Sequence, residues 1–355
     1  MVVVLFILLL SVIIVIHEFG HLIAAKIFGV YCGEFSMGMG PKILSYKGKE
    51  TTYSLRLIPI GGFVSMAGDA DNDLETKTDD EDIPFERTLK GIKTWKKIII
   101  MMAGVLMNLL LALVITSAVF LYTGFYATSA DTTIAKVNID SPAYNAGIQD
   151  GDKIVKLSYK ELGISHKPKT FEDMTYFMYG NEEHTLTMDV LRNDEVLSFD
   201  VTPEFDQDTN RYIIGINANP YNVVEVNITN CLWAGFDYLY NMTRTIFMSL
   251  GQLVKGIGFE NLSGPVGIFD ATSQAVNAGF TTYILMVAMM SLNVGIFNAL
   301  PLPILDGGRV VIAIIEKIIG RPLSDKAINI MMTISMAMLI ILLVFATMQD
   351  IKRIF

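Results

Sequence analysis

Apolar residues dominate four stretches, 2–28, 98–124, 281–306 and 327–348, each long enough to cross a bilayer as a helix, which takes about 20 residues. A fifth apolar stretch, Cys231–Val254, repeats Trp233, Phe236, Tyr240, Phe247 and Val254 at helical spacing. Between the second and fifth stretches the pattern changes to alternation. Thr132–Ile139, Lys153–Leu157, Thr185–Leu191, Val196–Val201 and Tyr212–Ile216 read as short strands, with Phe171–Tyr179 as a helix among them. The pattern predicts an α-helical polytopic membrane protein of four transmembrane helices with an inserted α+β domain over 128–220.

Composition agrees with this class. A chain of 355 residues that is 52% hydrophobic, with a mean hydropathy of +0.46, is too apolar for an ordinary soluble protein. Its net charge of -9 argues against a nucleic-acid partner. The first apolar stretch has neither a basic start nor a small-residue cleavage site, so it reads as a retained span rather than a signal peptide.

Charge then orients the spans. Lys26, Lys42, Lys47 and Lys49 follow the first span, and Lys90, Lys93, Lys96 and Lys97 precede the second, so the 29–97 loop is expected on the cytoplasmic side of the plasma (inner) membrane. The 128–220 domain then falls outside, and 307–326 forms a second cytoplasmic loop. Lys352 and Arg353, after the last span, run against the rule, but the long first loop outweighs them. Cys32 and Cys231 lie on opposite sides in this topology, so no disulfide is expected.

Within the first loop, Thr51–Met66 is nearly apolar and is broken by Pro59 and the pair Gly61-Gly62. It reads as a small soluble strand pair or, preferably, as a membrane-associated β-hairpin, with Leu55 and Leu57 on a strand able to hold an extended substrate. The acidic stretch 69–86 opens like a calcium loop, but Leu74 stands where that loop needs glycine and Asp80 replaces its closing glutamate. It reads as a solvated linker.

Candidate chemistry sits at the end of the first span. His17, Glu18 and His21 form H-E-x-x-H; on a helix both imidazoles share one face and can reach one zinc ion, with Glu18 beside them as general base. Ionisable groups inside an apolar span are costly, which favours a functional reading over a chance match. On the second span Gly104 and Asn108, four apart, share a face that suits plain helix packing or lets Asn108 hold a metal ligand or the catalytic glutamate in place. The third span ends in SLNVGIFNALPLPILDGGRV, where Asn293 and Asn298 precede Pro301 and Pro303, and Asp306 brings a carboxylate to the membrane edge. A catalytic zinc commonly takes three protein ligands, and His17, His21 and Asp306 would complete that set. This requires Asp306 to return to the depth of the histidines. Cys231–Val254 would then lie at the outer interface, within an interfacial region over 225–280, rather than cross.

Two further resemblances enter on these residues. SPAYNAGIQDGDKIVKL, Ser141–Leu157, resembles the core of PDZ domains of the bacterial protease type, which implies peptide binding by strand addition or a spacer without ligand. HEFGH, FSMGMGPK, PIGGFVSM, SGPVGI and NALPLPILDGG together resemble the site-2 protease family of intramembrane zinc metalloproteases (peptidase family M50), in its bacterial RseP/RasP-type branch. The resemblance implies that His17, His21 and Asp306 bind zinc, that Glu18 activates water, and that Asn298, Pro301 and Pro303, with Asn293 nearby, position substrate. It also implies that the partners are single-span membrane proteins (anti-sigma factors or remnant signal peptides), cut within the lipid bilayer after their outer domains are trimmed. Departures are Val105 where the family often has proline, and one PDZ domain where some relatives carry two. A zinc transporter and a non-catalytic PDZ receptor are the rival readings; neither needs Glu18.

Overall fold

The computed structural model describes residues 1–69, 83–128, 131–178, 181, 183–206, 211–218, 222–254, 259 and 262–354. The calcium-like start of the acidic linker therefore lies outside the described residues beyond Asp69. In chain order the elements are α1 (Val2–Ile27), β1 (Cys32–Lys47), β2 (Thr52–Met66), α2 (Thr94–Thr123), β3 (Phe125–Thr128), β4 (Ile134–Val137), α3 (Pro142–Ala146), β5 (Lys153–Tyr159), β6 (Ile164–His166), α4 (Phe171–Met178), β7 (Leu186–Arg192), β8 (Glu195–Val201), β9 (Glu204–Asp206), β10 (Arg211–Ile213), β11 (Ile216–Ala218), β12 (Asn222–Glu225), α5 (Cys231–Val254), α6 (Pro265–Ala278), α7 (Phe280–Asn298), α8 (Asp306–Ile319) and α9 (Asp325–Ile354). Two compact units result. One comprises Met1–Val119, Gly235–Thr243 and Glu260–Phe355, and the other Phe120–Ala234 and Arg244–Phe259.

The first unit carries the apolar helices. Among the described residues α1, α2, α7 and most of α9 are long and apolar enough to span a membrane, and α5 is not among them. As a helix α1 satisfies its backbone internally, as a bilayer demands, and its run of Leu, Ile and Val from Val2 to Ile16 is broken only by Phe6 and Ser11. Leu9 and Ile13 pack on Tyr283 and Val287 of α7, and the Tyr283 hydroxyl donates to the Leu5 carbonyl at 2.9 Å. Gly20 lets α2 approach closely, because a Cβ there would collide with the Ala103 carbonyl. At the far end of the chain Asp350 of α9 accepts from the backbone N–H groups of Gly264 and Gly267 at 2.9 and 2.8 Å, which caps α6.

The strand region differs from the expectation of a hairpin within Thr51–Met66. Thr52–Met66 is one bent strand whose antiparallel partner is β1. Glu34 lies opposite both Ser65 and Thr52, and Met37 opposite both Gly62 and Leu55, so each strand folds back on itself. Positive φ at Gly38, Gly40 and Gly61 provides the bends, and the same glycines, with Pro41, hide the strand pattern of β1 in the sequence. The Ser11 hydroxyl donates to the Pro59 carbonyl, which sets the bend of β2 alongside the apolar first half of α1. Met37, Met39, Ile43, Leu44, Leu57 and Ile58 are exposed on this sheet.

Two further differences are local. The expected loop over 307–326 contains α8, whose helical pattern is masked by Gly307-Gly308; a Cβ at either would run into the Ala299 or Leu302 carbonyl, so glycine is what lets the turn close before the helix. The single strand expected over Tyr212–Ile216 is divided by Gly215, at φ 78, into β10 and β11.

In the second unit a four-stranded sheet of order β6-β5-β7-β8 packs with the β4-β11 ribbon around Ile134, Ile154, Leu157, Met174, Leu186 and Met188. The Ser141 hydroxyl caps α3 by accepting from the Tyr144 N–H, Pro142 occupies its first turn, and Gly147 closes it in the left-handed region. Buried Asp152 is held by two guanidinium bonds from Arg192, both 2.7 Å, and by the Gln149 N–H. The unit is closed at its base by the β3-β12 ribbon. Arg244 of α5 donates to buried Asp173 of α4 at 2.5 Å, and Gln252 donates to the Tyr176 carbonyl at 2.6 Å.

Candidate metal centre

His17 and His21, one helical turn apart on α1, face Asp306 at the first turn of α8. His17 Nε2 lies 3.0 Å and His21 Nε2 3.3 Å from Asp306 Oδ2, and the two nitrogens are 3.2 Å apart. Zinc bonds of about 2.0–2.2 Å in a tetrahedral site separate their ligand atoms by about 3.3 Å, so this triangle has the size that one zinc ion needs on three corners. Asp306 Oδ2 is buried without a hydrogen-bond donor, another sign that a cation belongs there.

The surrounding groups orient the rings. His21 Nδ1 lies 2.8 Å from the Ile100 carbonyl, which can only accept, so Nδ1 carries the proton and Nε2 keeps its lone pair for a ligand. His17 Nδ1 meets the side-chain amide of fully buried Asn108 at 3.3 Å. The amide orientation that presents Oδ1 to a protonated Nδ1 satisfies the otherwise unpartnered Oδ1 and frees His17 Nε2 in the same way. Ser291 in turn donates to the Asn108 carbonyl at 2.8 Å and ties α7 to α2 behind the site. Gly104 lies directly against both imidazoles: a Cβ there would stand 2.8 Å from His17 Nε2 and closer still to His21 Nε2.

A cavity of about 350 Å³ opens over this triangle, with Glu18, Phe63, Val64 and Asn298 among its walls. Glu18 accepts from the Val64 backbone N–H, which holds the carboxylate beside the histidines. Thus His17, Glu18, His21, Asn298 and Asp306 come together, with Gly104 and Asn108 immediately behind. Asn293, Pro301, Leu55 and Leu57 do not line this cavity; Pro301, Leu55 and Leu57 are exposed, and Pro303 lines a neighbouring one. The Gly62–Met66 arm of β2, not Leu55 or Leu57, is what passes the site. Sequence reasoning also missed the Arg309–Asp69 ion pair, 3.1 Å at the cavity rim, because the two residues stand 240 positions apart and no spacing rule links them.

Comparison with known proteins places this geometry in context. The model of peptidase family M50 matches residues 5–342. A Clostridium acetobutylicum protein is 34% identical over 346 residues, covering 97% of this chain and 96% of its own. The zinc metalloprotease RasP of Oceanobacillus iheyensis is 30% identical, with 99% of each chain covered. The regulator of sigma-W protease RasP of Bacillus subtilis is 28% identical, over 99% of this chain and 98% of its own.

Proposed function

Since the chain belongs to peptidase family M50, we propose that this multi-pass membrane protein is a zinc metalloprotease that cuts the membrane-spanning segments of other proteins. The observation that carries the reading is the triangle of His17 Nε2, His21 Nε2 and Asp306 Oδ2 beside Glu18 at the end of an apolar helix. These three residues hold the metal. Zinc, when bound, supplies an electrophile that acidifies water and polarises a carbonyl. Glu18, kept in place by the Val64 N–H, takes the proton of the attacking water and delivers it to the leaving amine.

A helical substrate hides its carbonyls in intrahelical bonds, so it must be unwound before attack. The bent β1-β2 sheet, set against α1 through Ser11 and Pro59 and rich in exposed apolar side chains, dips into the bilayer and offers a strand to the opened segment. Asn298 reaches the cavity and contacts that segment, Pro301 and Pro303 shape the loop that precedes Asp306, and Asn293 stands within α7 before it. By the lysine count of the first loop the site faces the cytoplasm and the second unit lies outside, where it acts as a PDZ domain that screens pre-trimmed substrates or binds a peptide terminus. α5 lies at the outer interface.

The test is cleavage of a single-span substrate in liposomes by the parent and by Glu18→Gln at equal zinc content. Loss of cleavage with zinc retained is expected. Equal cleavage by the two would remove Glu18 from the chemistry and the protease reading with it.

A further inference from the structure

A second cavity of about 710 Å³ adjoins the first, sharing Asp69, Met101 and Arg309 with it. It opens between the segment around Leu89, the start of α2, α8 and the first turns of α9. Leu89, Met101, Ile312, Leu323, Ile328 and Met332 give it an apolar floor. Lys90, Lys97, Lys317 and Arg321 line it as well, and among the described residues none of the four is ion-paired. The carboxylates on its wall are already engaged: Asp69 with Arg309 at 3.1 Å, and Glu316 with the Leu323 N–H at 3.0 Å. Among the described residues the lining thus carries five cations, Arg309 included, against the two carboxylates of Asp69 and Glu316, an excess of positive charge around an apolar trough.

Position identifies the ligand. The apolar spans of α2 and α9 begin at Thr94 and Lys326, so the cavity sits where hydrocarbon gives way to water. Met336, one turn beyond Met332 on the same face of α9 and about half exposed, continues its floor along the surface of that span. Basic pockets between spans at such a boundary suit anionic lipid headgroups, and an apolar trough running on into the span suits an acyl chain. We propose that this cavity binds an anionic phospholipid, its phosphate among Lys90, Lys97, Lys317 and Arg321 and one acyl chain along Met101, Ile328 and Met332. Because the wall formed by Asp69, Met101 and Arg309 is common to both cavities, occupancy by the lipid braces the reaction site from behind.

The full chain, delipidated in mild detergent, is titrated with short-chain phosphatidylglycerol or phosphatidylcholine and the retained lipid is counted by native mass spectrometry. The parent is expected to retain phosphatidylglycerol in preference. Lys317→Gln/Arg321→Gln is expected to weaken that retention roughly tenfold while phosphatidylcholine binding is unchanged. Lys90→Gln/Lys97→Gln, on the opposite wall, provides a second variant should the first fail to fold. Equal retention of the two lipids, a preference that survives both variants, or full displacement by inorganic phosphate or by an acidic peptide would each overturn the assignment.

Discussion

At the scale of single residues the site is built from side chains that would be unremarkable apart. His17 and His21 are arranged as a ligand pair would be because Ile100 and Asn108 engage their Nδ1 atoms and leave both Nε2 atoms facing Asp306. Outer-shell partners of this kind are worth about 10–100-fold in metal affinity. Asn108→Ala should therefore lower zinc affinity by roughly that factor in a competition titration with a chelator, while Asn108→Asp, which still accepts from His17, should retain most of it. Gly104→Ala should be more severe, since its Cβ falls on the ligand atoms themselves; zinc content after purification should drop although α2 gains helix propensity. A third expectation concerns Cys32. Burial pushes its thiol up to about 12, so it stays neutral at ordinary pH and should resist alkylation in the folded protein, whereas partly exposed Cys231 reacts first. Mass spectrometry of the alkylated peptides distinguishes the two. Of these residues the shared face of His17 and His21 with Glu18 beside them was legible in the sequence, because spacing on a helix dictates who shares a face, and the approach of Asp306 was expected only through the zinc argument. The Val64 N–H and the Arg309–Asp69 pair were not, because they depend on which strand and which helix pass the site.

At the scale of elements, the apolar helices could be read from length alone, whereas the β1-β2 sheet could not. Its bends consist of glycines and a proline, residues that weaken a strand pattern at the positions that allow this one to turn. The same holds for α8, hidden behind Gly307-Gly308. SGPVGI, carried at first only by resemblance, has a physical role: Gly264 and Gly267 let their N–H groups reach Asp350 from α9, where a Cβ at either position would crowd the carboxylate. The Asp350 carboxylate is almost fully buried, and its Oδ1 has no partner among the described residues, so its value rests on these two bonds and on the positive end of α6. Asp350→Ala should destabilise the protein by about 1–2 kcal/mol in detergent melting, with Asp350→Asn, which keeps one acceptor oxygen for both N–H groups but loses the charge, intermediate. Equal melting of all three would mean that α6 is held by its packing on α1 and α7 alone.

At the scale of the whole molecule, the chain separates into a unit that carries the metal triangle and a unit that carries the strand-rich domain. The two are joined in sequence at places the structure makes easy to cut. β3 and β12 pair so that Thr128 lies opposite Asn222 and Phe125 opposite Glu225, and the Val226 N–H donates to the Gly124 carbonyl at 2.8 Å below them. Residues 129–221 can therefore be replaced by an Asn-Gly turn, which closes two antiparallel strands without strain, and the ribbon remains. If the domain excludes substrates by size, the shortened protein should cut a single-span substrate that still carries its outer domain about as fast as one already trimmed, while the parent cuts only the trimmed form. If the domain instead captures a peptide terminus, the shortened protein should lose activity on the trimmed substrate and gain none on the untrimmed one. Cleavage of the trimmed substrate at the parent's rate, with the untrimmed one still refused, would locate the selection in the first unit, in the narrow cavity between β2 and Asn298.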